Sequence, residues 1–334
     1  MKAFLQIAFS VAVSAAAVWY SLQGVNFDQF ISDFGAAKVA WLVPMVATAV
    51  LAMLLRAWRW RVILETLAPL EKTPVLHATN IGFMGNMVLP LRAGEVLKPL
   101  VVARAGEVGA PAALASVAVE RICDLLMLAV LAVVTVGLVP GDNFLRSQLP
   151  ALSGAVAGMI VILALMVVYR EPVQKLADWI SEYLPKFLGE ALRDASRGGL
   201  RVLSGLTHPA SFLAVMAIST GVWLAAAGGF VFGALALDIE APYFALGIAT
   251  SVIVAVAVSV PSAPGFIGVF WAGSEIALGL FGVDRSLAFS FGVLNWLVQM
   301  VVICSMGAWS LGVLQISLKD LRRENSDSVA GKPS

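Results

Sequence analysis

The sequence predicts an all-α polytopic membrane protein, with about six transmembrane helices and two oppositely oriented re-entrant helical hairpins. Of the 334 residues, 60% are hydrophobic and 13% are charged, whereas a soluble domain is about 45–50% apolar and about 25% charged. Several apolar runs reach the roughly 20 residues that an α-helix needs to cross a bilayer. Two further apolar runs are broken near the middle by proline and glycine.

Composition also narrows the class of function. The net charge is +1 and the basic residues are scattered between apolar blocks, so no nucleic-acid partner is expected. Cys123 and Cys304 lie in apolar runs, where cysteine is ordinarily a small hydrophobic residue. His77 and His208 lack the ligand spacing of a zinc site, and the sequence contains no nucleotide-binding loop or hydrolase motif. We therefore expect no metal, no cofactor and no standard catalytic residue.

The N-terminal run is predicted to remain as the first helix, because no convincing cleavage site precedes the polar segment 26–33. Six runs have the length and apolarity of spanning helices, and they are residues 4–22, 39–58, 111–138, 151–169, 210–236 and 287–316. Residues 1–323 then form a single transmembrane domain. The polar residues 324–334 are predicted to be a disordered tail.

Two apolar runs, 75–104 and 243–281, are predicted to form re-entrant hairpins because proline and glycine interrupt them. The predicted hairpin breaks are Pro90 and Gly94 in the first run, and Pro261, Pro264, Gly265 and Gly268 in the second. Backbone groups that such a break frees are tolerated at membrane depth only where protein or a wet cavity satisfies them. The sequence therefore predicts an internal polar chamber.

The distribution of Lys and Arg predicts the orientation of the chain. Most basic residues fall in segments on one side of this topology, and cytoplasmic loops carry an excess of Lys and Arg. Both termini are then cytoplasmic, and the two hairpins enter from opposite faces, as in the inverted repeats of transporters. The amphipathic segment 171–201 is predicted to lie on the cytoplasmic surface.

Six charged residues inside predicted membrane segments are candidate substrate-binding or translocation residues, because each charge costs about 2.5–3.5 kcal/mol to insert. They are Arg92, Glu95, Lys98, Glu120, Arg121 and Asp124. Glu95 with Lys98, and Arg121 with Asp124, are spaced to pair on a helix face, and the two groups could join in one buried network. Two interpretations stay open. The residues form either a structural ion-pair cluster or a cavity where Arg92 or Lys98 binds an anionic headgroup while carboxylates relay protons.

Three further positions add to the candidate site. The helix that leaves the first break begins near Gly94, so its N-terminal N–H groups would attract a phosphate at the cavity of Arg92. Asn86 offers an amide at the same depth, either for substrate or for helix packing. Glu275 either mirrors Glu95 in the second hairpin or reaches the outer interface.

Four segments carry a resemblance to a known family: RAWRW at 56–60, NMVLPLRAGE at 86–95, ERICD at 120–124 and PSAPGFIG at 261–268. In this order they resemble the lysylphosphatidylglycerol synthase transmembrane region, also called the flippase-like family. The resemblance implies a protein of the bacterial inner membrane that translocates or delivers lipids. Relatives act on aminoacylated phosphatidylglycerol, hopanoids or polyprenyl-linked sugars.

The sequence departs from the family pattern at the second break. Phe266 stands where the family has a second glycine, and Trp271 stands where a glutamate is expected. This apolar, aromatic break favours a bulky apolar substrate such as a hopanoid. The sequence also contains no soluble synthase domain, so the resemblance does not imply aminoacyl transfer.

The leading hypothesis is a transporter that moves a lipid or lipid-linked group between the leaflets of the bacterial inner membrane, with the membrane lipid as its partner. Two alternatives stay open. One is an intramembrane transferase in which Glu95 or Asp124 acts as a general base, and the other is a noncatalytic scaffold for a lipid-biosynthesis enzyme. A homo-oligomer is compatible with each of the three.

Overall fold

The computed structural model describes residues 2–68, 72–104, 108–139 and 168–315, together with isolated positions between 147 and 165. Within these residues the chain folds into twelve α-helices and no β-strand, which confirms the predicted all-α class. The predicted tail 324–334 and most of the predicted span 151–169 lie outside the described residues.

The helices are numbered in chain order. They are α1 (Lys2–Leu22), α2 (Phe27–Ala36), α3 (Leu42–Leu64), α4 (Lys72–Val88), α5 (Gly94–Arg104), α6 (Ala110–Leu138), α7 (Arg170–Glu182), α8 (Lys186–Leu206), α9 (Pro209–Ala236), α10 (Tyr243–Ser259), α11 (Val269–Gly279) and α12 (Arg285–Leu314). Short 3-10 turns lie at Val39–Trp41, Pro90–Arg92 and Pro264–Phe266.

Four of the described helices, α3, α6, α9 and α12, are long and apolar enough to cross a membrane. They correspond to four of the predicted spans, and α3 continues beyond its predicted end at residue 58 to Leu64. The first predicted span belongs to a bent pair, because α1 and α2 meet at 85°. The polar segment 26–33 therefore forms part of α2, which Asn26 caps by accepting hydrogen bonds from the backbone N–H groups of Asp28 and Gln29.

Both predicted hairpins are present. Helices α4 and α5 form the first, around the turn Pro90–Arg92, and α10 and α11 form the second, around Pro264–Phe266. The arms of the first hairpin approach so closely that a Cβ added at Gly94 would lie 1.8 Å from the carbonyl oxygen of Gly82. In the second hairpin Gly268 has φ +80°, and an added Cβ would lie 2.8 Å from the backbone of Ser14 in α1.

The two hairpins enter from opposite sides of the helix bundle. The backbone N–H of Lys38, just before α3, donates to the carbonyl of Ala236 at the end of α9, so α9 ends where α3 begins. The first hairpin follows the end of α3, whereas the second follows the end of α9. We call the side on which the first hairpin is rooted side 1, and the other side 2.

The amphipathic segment forms two helices, α7 and α8, rather than one surface helix over 171–201. Pro185 separates them, and α8 continues to Leu206. Helix α8 packs against the start of α6, because an added Cβ at Gly198 would lie 2.8 Å from Ala112, and its end packs near Thr66. The predicted surface segment is therefore partly a packing element of the bundle, and α7 is its more exposed half, with Leu176, Trp179 and Tyr183 exposed.

We predict that Gly94→Ala destabilises the protein strongly, because the new methyl group would overlap the Gly82 carbonyl and separate the arms of the first hairpin. Overpacking of this kind typically costs about 1–3 kcal/mol or more. The midpoint of thermal unfolding in detergent measures the effect. Gly137→Ala is the matched control, because Gly137 lies in α6 with nothing within 4 Å of an added Cβ. That variant should be neutral or slightly stabilised, and equal midpoints for the two variants would contradict the close approach.

Candidate functional site

A fully buried arginine, Arg59 of α3, is the centre of an ion network in the bundle. Its guanidinium donates to Glu120 (Nη2 to Oε1, 3.0 Å) and to Asp124 (Nη1 to Oδ1, 2.5 Å), both on α6. It also donates to the hydroxyl of Ser219 on α9 at 3.2 Å. The side chains of Arg59 and Glu120 are 0% exposed. One guanidinium thus joins three long helices.

Lys98 attaches the first hairpin to the same network. Its ammonium donates to the second carboxylate oxygen of Glu120 at 2.5 Å and lies 4.1 Å from the centre of the Trp60 ring. The indole N–H of Trp60 donates to the Ser116 hydroxyl at 3.0 Å. Glu120 is therefore shared by two cations on different elements. The predicted pairing of Lys98 with Glu95 is wrong, because the carboxylate of Glu120 is the one that faces the ammonium.

The network becomes more exposed toward Arg121. Arg121 pairs with Asp124 at 3.1 Å, as the spacing predicts, and with Glu95 of α5 at 3.8 Å. The side chains of Arg121, Glu95 and Asp124 are 41%, 30% and 23% exposed. The six members, Arg59, Glu95, Lys98, Glu120, Arg121 and Asp124, carry three positive and three negative charges. The network is neutral as a whole, and its partly exposed half is open to a polar ligand.

Arg92 lies outside this network and joins the tips of the two hairpins. Its guanidinium donates to the backbone carbonyl of Val258 at the end of α10 and lies 5.5 Å from the centre of the Phe266 ring. Glu95 and Arg121 are near enough to act on Arg92 electrostatically, but their charges oppose each other. Arg92 therefore carries a positive charge that no ion pair within the described residues neutralises.

The second tip is held by neutral hydrogen bonds. The indole N–H of Trp296 donates to the carbonyl of Gly265 at 2.7 Å, and the backbone N–H of Ala263 donates to the Ser14 hydroxyl at 2.8 Å. The positive φ angles of Gly265, Phe266 and Gly268 agree with a break at the predicted Pro264 and Gly265. Pro261 lies exposed just before this turn.

The remaining predicted residues are not all at the network. The side-chain oxygen of Asn86 is buried without a hydrogen-bond partner in the described part of the chain, and it lies beside Gly94. Glu275 pairs at 3.5 Å with Arg285, at the side-2 end of α12. This position favours the alternative in which Glu275 reaches the membrane interface, rather than the one in which it takes the place of Glu95 in the second hairpin.

Two arginines of α3, Arg56 and Arg59, were not predicted to be site residues. The predicted span 39–58 ends between them and places both at its cytoplasmic boundary, whereas the helix continues to Leu64. A signal was available in the sequence: Glu120 and Asp124 lie four residues apart on one helix face and require more positive charge than Arg121 supplies. Arg56 lines a cavity described below.

The aromatic residues of the second break are used in internal packing. Trp271 makes edge-on contacts with Phe289 and Trp296, with ring centroids 5.8 and 5.6 Å apart. Phe266 receives the guanidinium of Arg92. The observation on which a bulky apolar substrate was expected therefore has an explanation within the protein.

Comparisons with known proteins identify the chain at family level. Over 116 residues it is 39% identical to a protein of Haloferax volcanii named "Glycosyltransferase AglD". That match covers 34% of this chain and 19% of the relative, so the chain spans only a small part of the relative's length. No solved structure matches. The family model described as "Lysylphosphatidylglycerol synthase TM region" matches residues 7–307, and the chain therefore belongs to this family of multi-pass membrane proteins.

Proposed function

We propose that this protein moves a lipid with an anionic headgroup between the leaflets of the bacterial inner membrane. The family to which it belongs supports a lipid-related role. The observation that carries the proposal is the position of Arg92, an unneutralised cation at the point where two hairpins from opposite sides of the bundle meet.

The contact between Arg92 and Val258 can act as a latch. Arg92 donates one hydrogen bond to a neutral carbonyl, whereas a phosphate can accept two parallel hydrogen bonds from the guanidinium and also attracts its charge. A headgroup phosphate that reaches Arg92 can therefore take the guanidinium from Val258 and release the second hairpin tip. Because the hairpins are rooted on opposite sides, separating their tips would change the side from which the chamber is reached.

The first hairpin is the fixed partner in this movement. Lys98 ties it to α6 through Glu120, and Arg121 adds a second link through Glu95. Apart from the bond from Arg92, the tip of the second hairpin is held by neutral hydrogen bonds from Trp296 and Ala263, which are individually weaker. We therefore assign the movement to the second hairpin and the structural interpretation of the ion network to Arg59, Lys98 and Glu120.

A transferase acting on a lipid-linked donor is the second candidate, and the printed name of the Haloferax volcanii relative favours it. Its proposed general bases, Glu95 and Asp124, are both paired with arginine. Turnover of a donor lipid in the experiment below would support this candidate.

We predict that Arg92→Gln slows leaflet exchange about tenfold or more, because the neutral amide cannot form the charge-assisted hydrogen bond to the headgroup. Purified protein in liposomes with fluorescent phosphatidylglycerol in one leaflet, quenched from outside, measures the exchange. Lys38→Gln is the matched control, since Lys38 is a cation in an exposed ion pair on side 2, and it should exchange lipid at the wild-type rate.

Three results would contradict the transport proposal. The first is folded Arg92→Gln protein that exchanges phosphatidylglycerol as fast as wild type. The second is a wild-type protein that exchanges no headgroup class above protein-free liposomes. The third is turnover of a radiolabelled donor lipid in detergent, where leaflets are absent, which would support the transferase.

We predict that Glu120→Gln destabilises the protein by roughly 3–5 kcal/mol, because it removes one of the two carboxylate partners of buried Arg59 and leaves buried Lys98 without its ion pair. Lys98→Met should cost less, since Glu120 keeps its pair with Arg59 and Met retains contact with Trp60. Unfolding by titration with sodium dodecyl sulfate measures both free energies. If Lys98→Met lowers the free energy of unfolding more than Glu120→Gln does, Glu120 is not the residue on which the network depends.

A further inference from the structure

A small cavity of about 50 Å³ lies between α3, α9 and α12. Its wall is mostly methionine, alanine and valine, but Arg56, Asn295 and Gln299 also line it. Asn295 uses its amide N–H to donate to the Phe291 carbonyl at 2.9 Å. Gln299 makes no hydrogen bond to any residue that the structure describes. The cavity thus offers a cation and a free amide in an otherwise apolar wall.

Arg56 has no ion-pair partner among the described residues. Its guanidinium lies 4.9 Å from the centre of the Phe83 ring, which leaves its N–H groups without an anionic acceptor. Of the surrounding charges Asp124 acts on it most strongly, followed by Arg59, Arg121 and Glu120, but none of them forms an ion pair with it. An unneutralised cation at membrane depth is costly, so an anion entering the cavity would be bound strongly.

A second, apolar groove of about 420 Å³ runs along two of these helices, α3 and α12. Its wall is formed mainly by Val46, Val50, Leu297, Val298, Val301 and Val302. Val298 lines both the groove and the polar cavity. Val301 is 57% exposed, as expected of a side chain that faces lipid. The crevice between α3 and α12 is therefore polar inside and apolar outside.

We propose that this crevice binds one glycerophospholipid with an anionic headgroup, taken sideways from the bilayer. The phosphate binds Arg56 and accepts a hydrogen bond from the Gln299 amide, while an acyl chain lies along the groove of valines. A phosphodiester carries a single negative charge, which matches the single unpaired guanidinium. Binding of the lipid here does not depend on transport. The role of the site does rest on the proposed function, because the crevice would hold the lipid before or after it reaches Arg92.

Native mass spectrometry of the detergent-solubilised protein measures lipid binding to this site. Because detergent has no leaflets, the result is independent of transport. The probes are phosphatidylglycerol, diacylglycerol with the same acyl chains and no phosphate, and inorganic phosphate. Wild type should bind one phosphatidylglycerol, and Arg56→Met should bind it about tenfold or more weakly. Arg61→Met is the matched control, because Arg61 lies on the same helix, pairs with Glu65 and does not line the cavity. It should bind like wild type.

A second pair of variants tests the groove and keeps the proposal falsifiable if Arg56→Met does not fold. Val301→Trp should fill the groove and weaken phosphatidylglycerol binding, whereas Val313→Trp, exposed on the same helix but outside the groove, should not. Arg56→Lys keeps the charge and should retain part of the binding.

Several results would overturn this site. These are wild-type binding by folded Arg56→Met or Val301→Trp, equal binding of diacylglycerol, or inorganic phosphate binding as tightly as the lipid, which would indicate a site for free anions. Failure of leaflet exchange alone would refute the transport proposal and leave the binding result standing, so the two can be told apart.

Discussion

The burial of Arg59 is the constraint on which the arrangement of this bundle depends. A guanidinium buried away from water and headgroups requires carboxylate partners. Arg59 donates to Glu120 and Asp124 on α6, and its Nη1 also donates to Ser219 on α9. Lipid tails are as apolar as leucine, so there is little hydrophobic force to bring membrane helices together. Here neutralisation of a charge fixes α3, α6 and α9 against one another, and Lys98 fixes the first hairpin by the same carboxylate.

Close packing at glycine holds further helices together. A Cβ added at Gly94 would lie 1.8 Å from the carbonyl oxygen of Gly82, and this contact between two backbones is rigid because neither group can rotate away. A Cβ added at Gly233 or Gly307 would lie 2.4 Å from a side-chain atom of Asn295 or Met84, so at these positions a side chain fills the space beside the glycine. The side-2 root of the second hairpin is also packed in the apolar core around Phe270, Phe291 and Leu278. Its tip is held by single hydrogen bonds from Arg92, Trp296 and Ala263 and by the approach of Gly268 to Ser14. No ion pair among the described residues fixes this tip, and for that reason we assign the movement to it.

The sequence was sufficient to predict the fold class, the hairpins and most members of the ion network, because each has a local signal. The length of the apolar runs indicates the class, proline with glycine indicates the hairpin breaks, and charges at helical spacing indicate the network. It was insufficient to predict where α3 ends, because Arg59 and Arg61 resemble the basic residues of a cytoplasmic boundary. Whether an arginine is buried depends on partners 61 residues away, and periodicity cannot report that. The same reason explains the wrong partner for Lys98 and the split of the amphipathic segment into α7 and α8, whose packing on α6 is a tertiary contact.

The charge balance of the membrane interior connects these observations to function. The six-membered network is neutral, so among the described residues two positive charges remain without an ion pair, Arg56 between α3, α9 and α12 and Arg92 at the hairpin tips. Neither contributes an ion pair that would explain it as a structural residue, because one lies against Phe83 and the other against Phe266 and a backbone carbonyl. Arg121, partly exposed, lies within electrostatic range of both. A bundle that needed only stability would gain from replacing two such cations with apolar residues, and their presence is accounted for if an anionic headgroup passes between them.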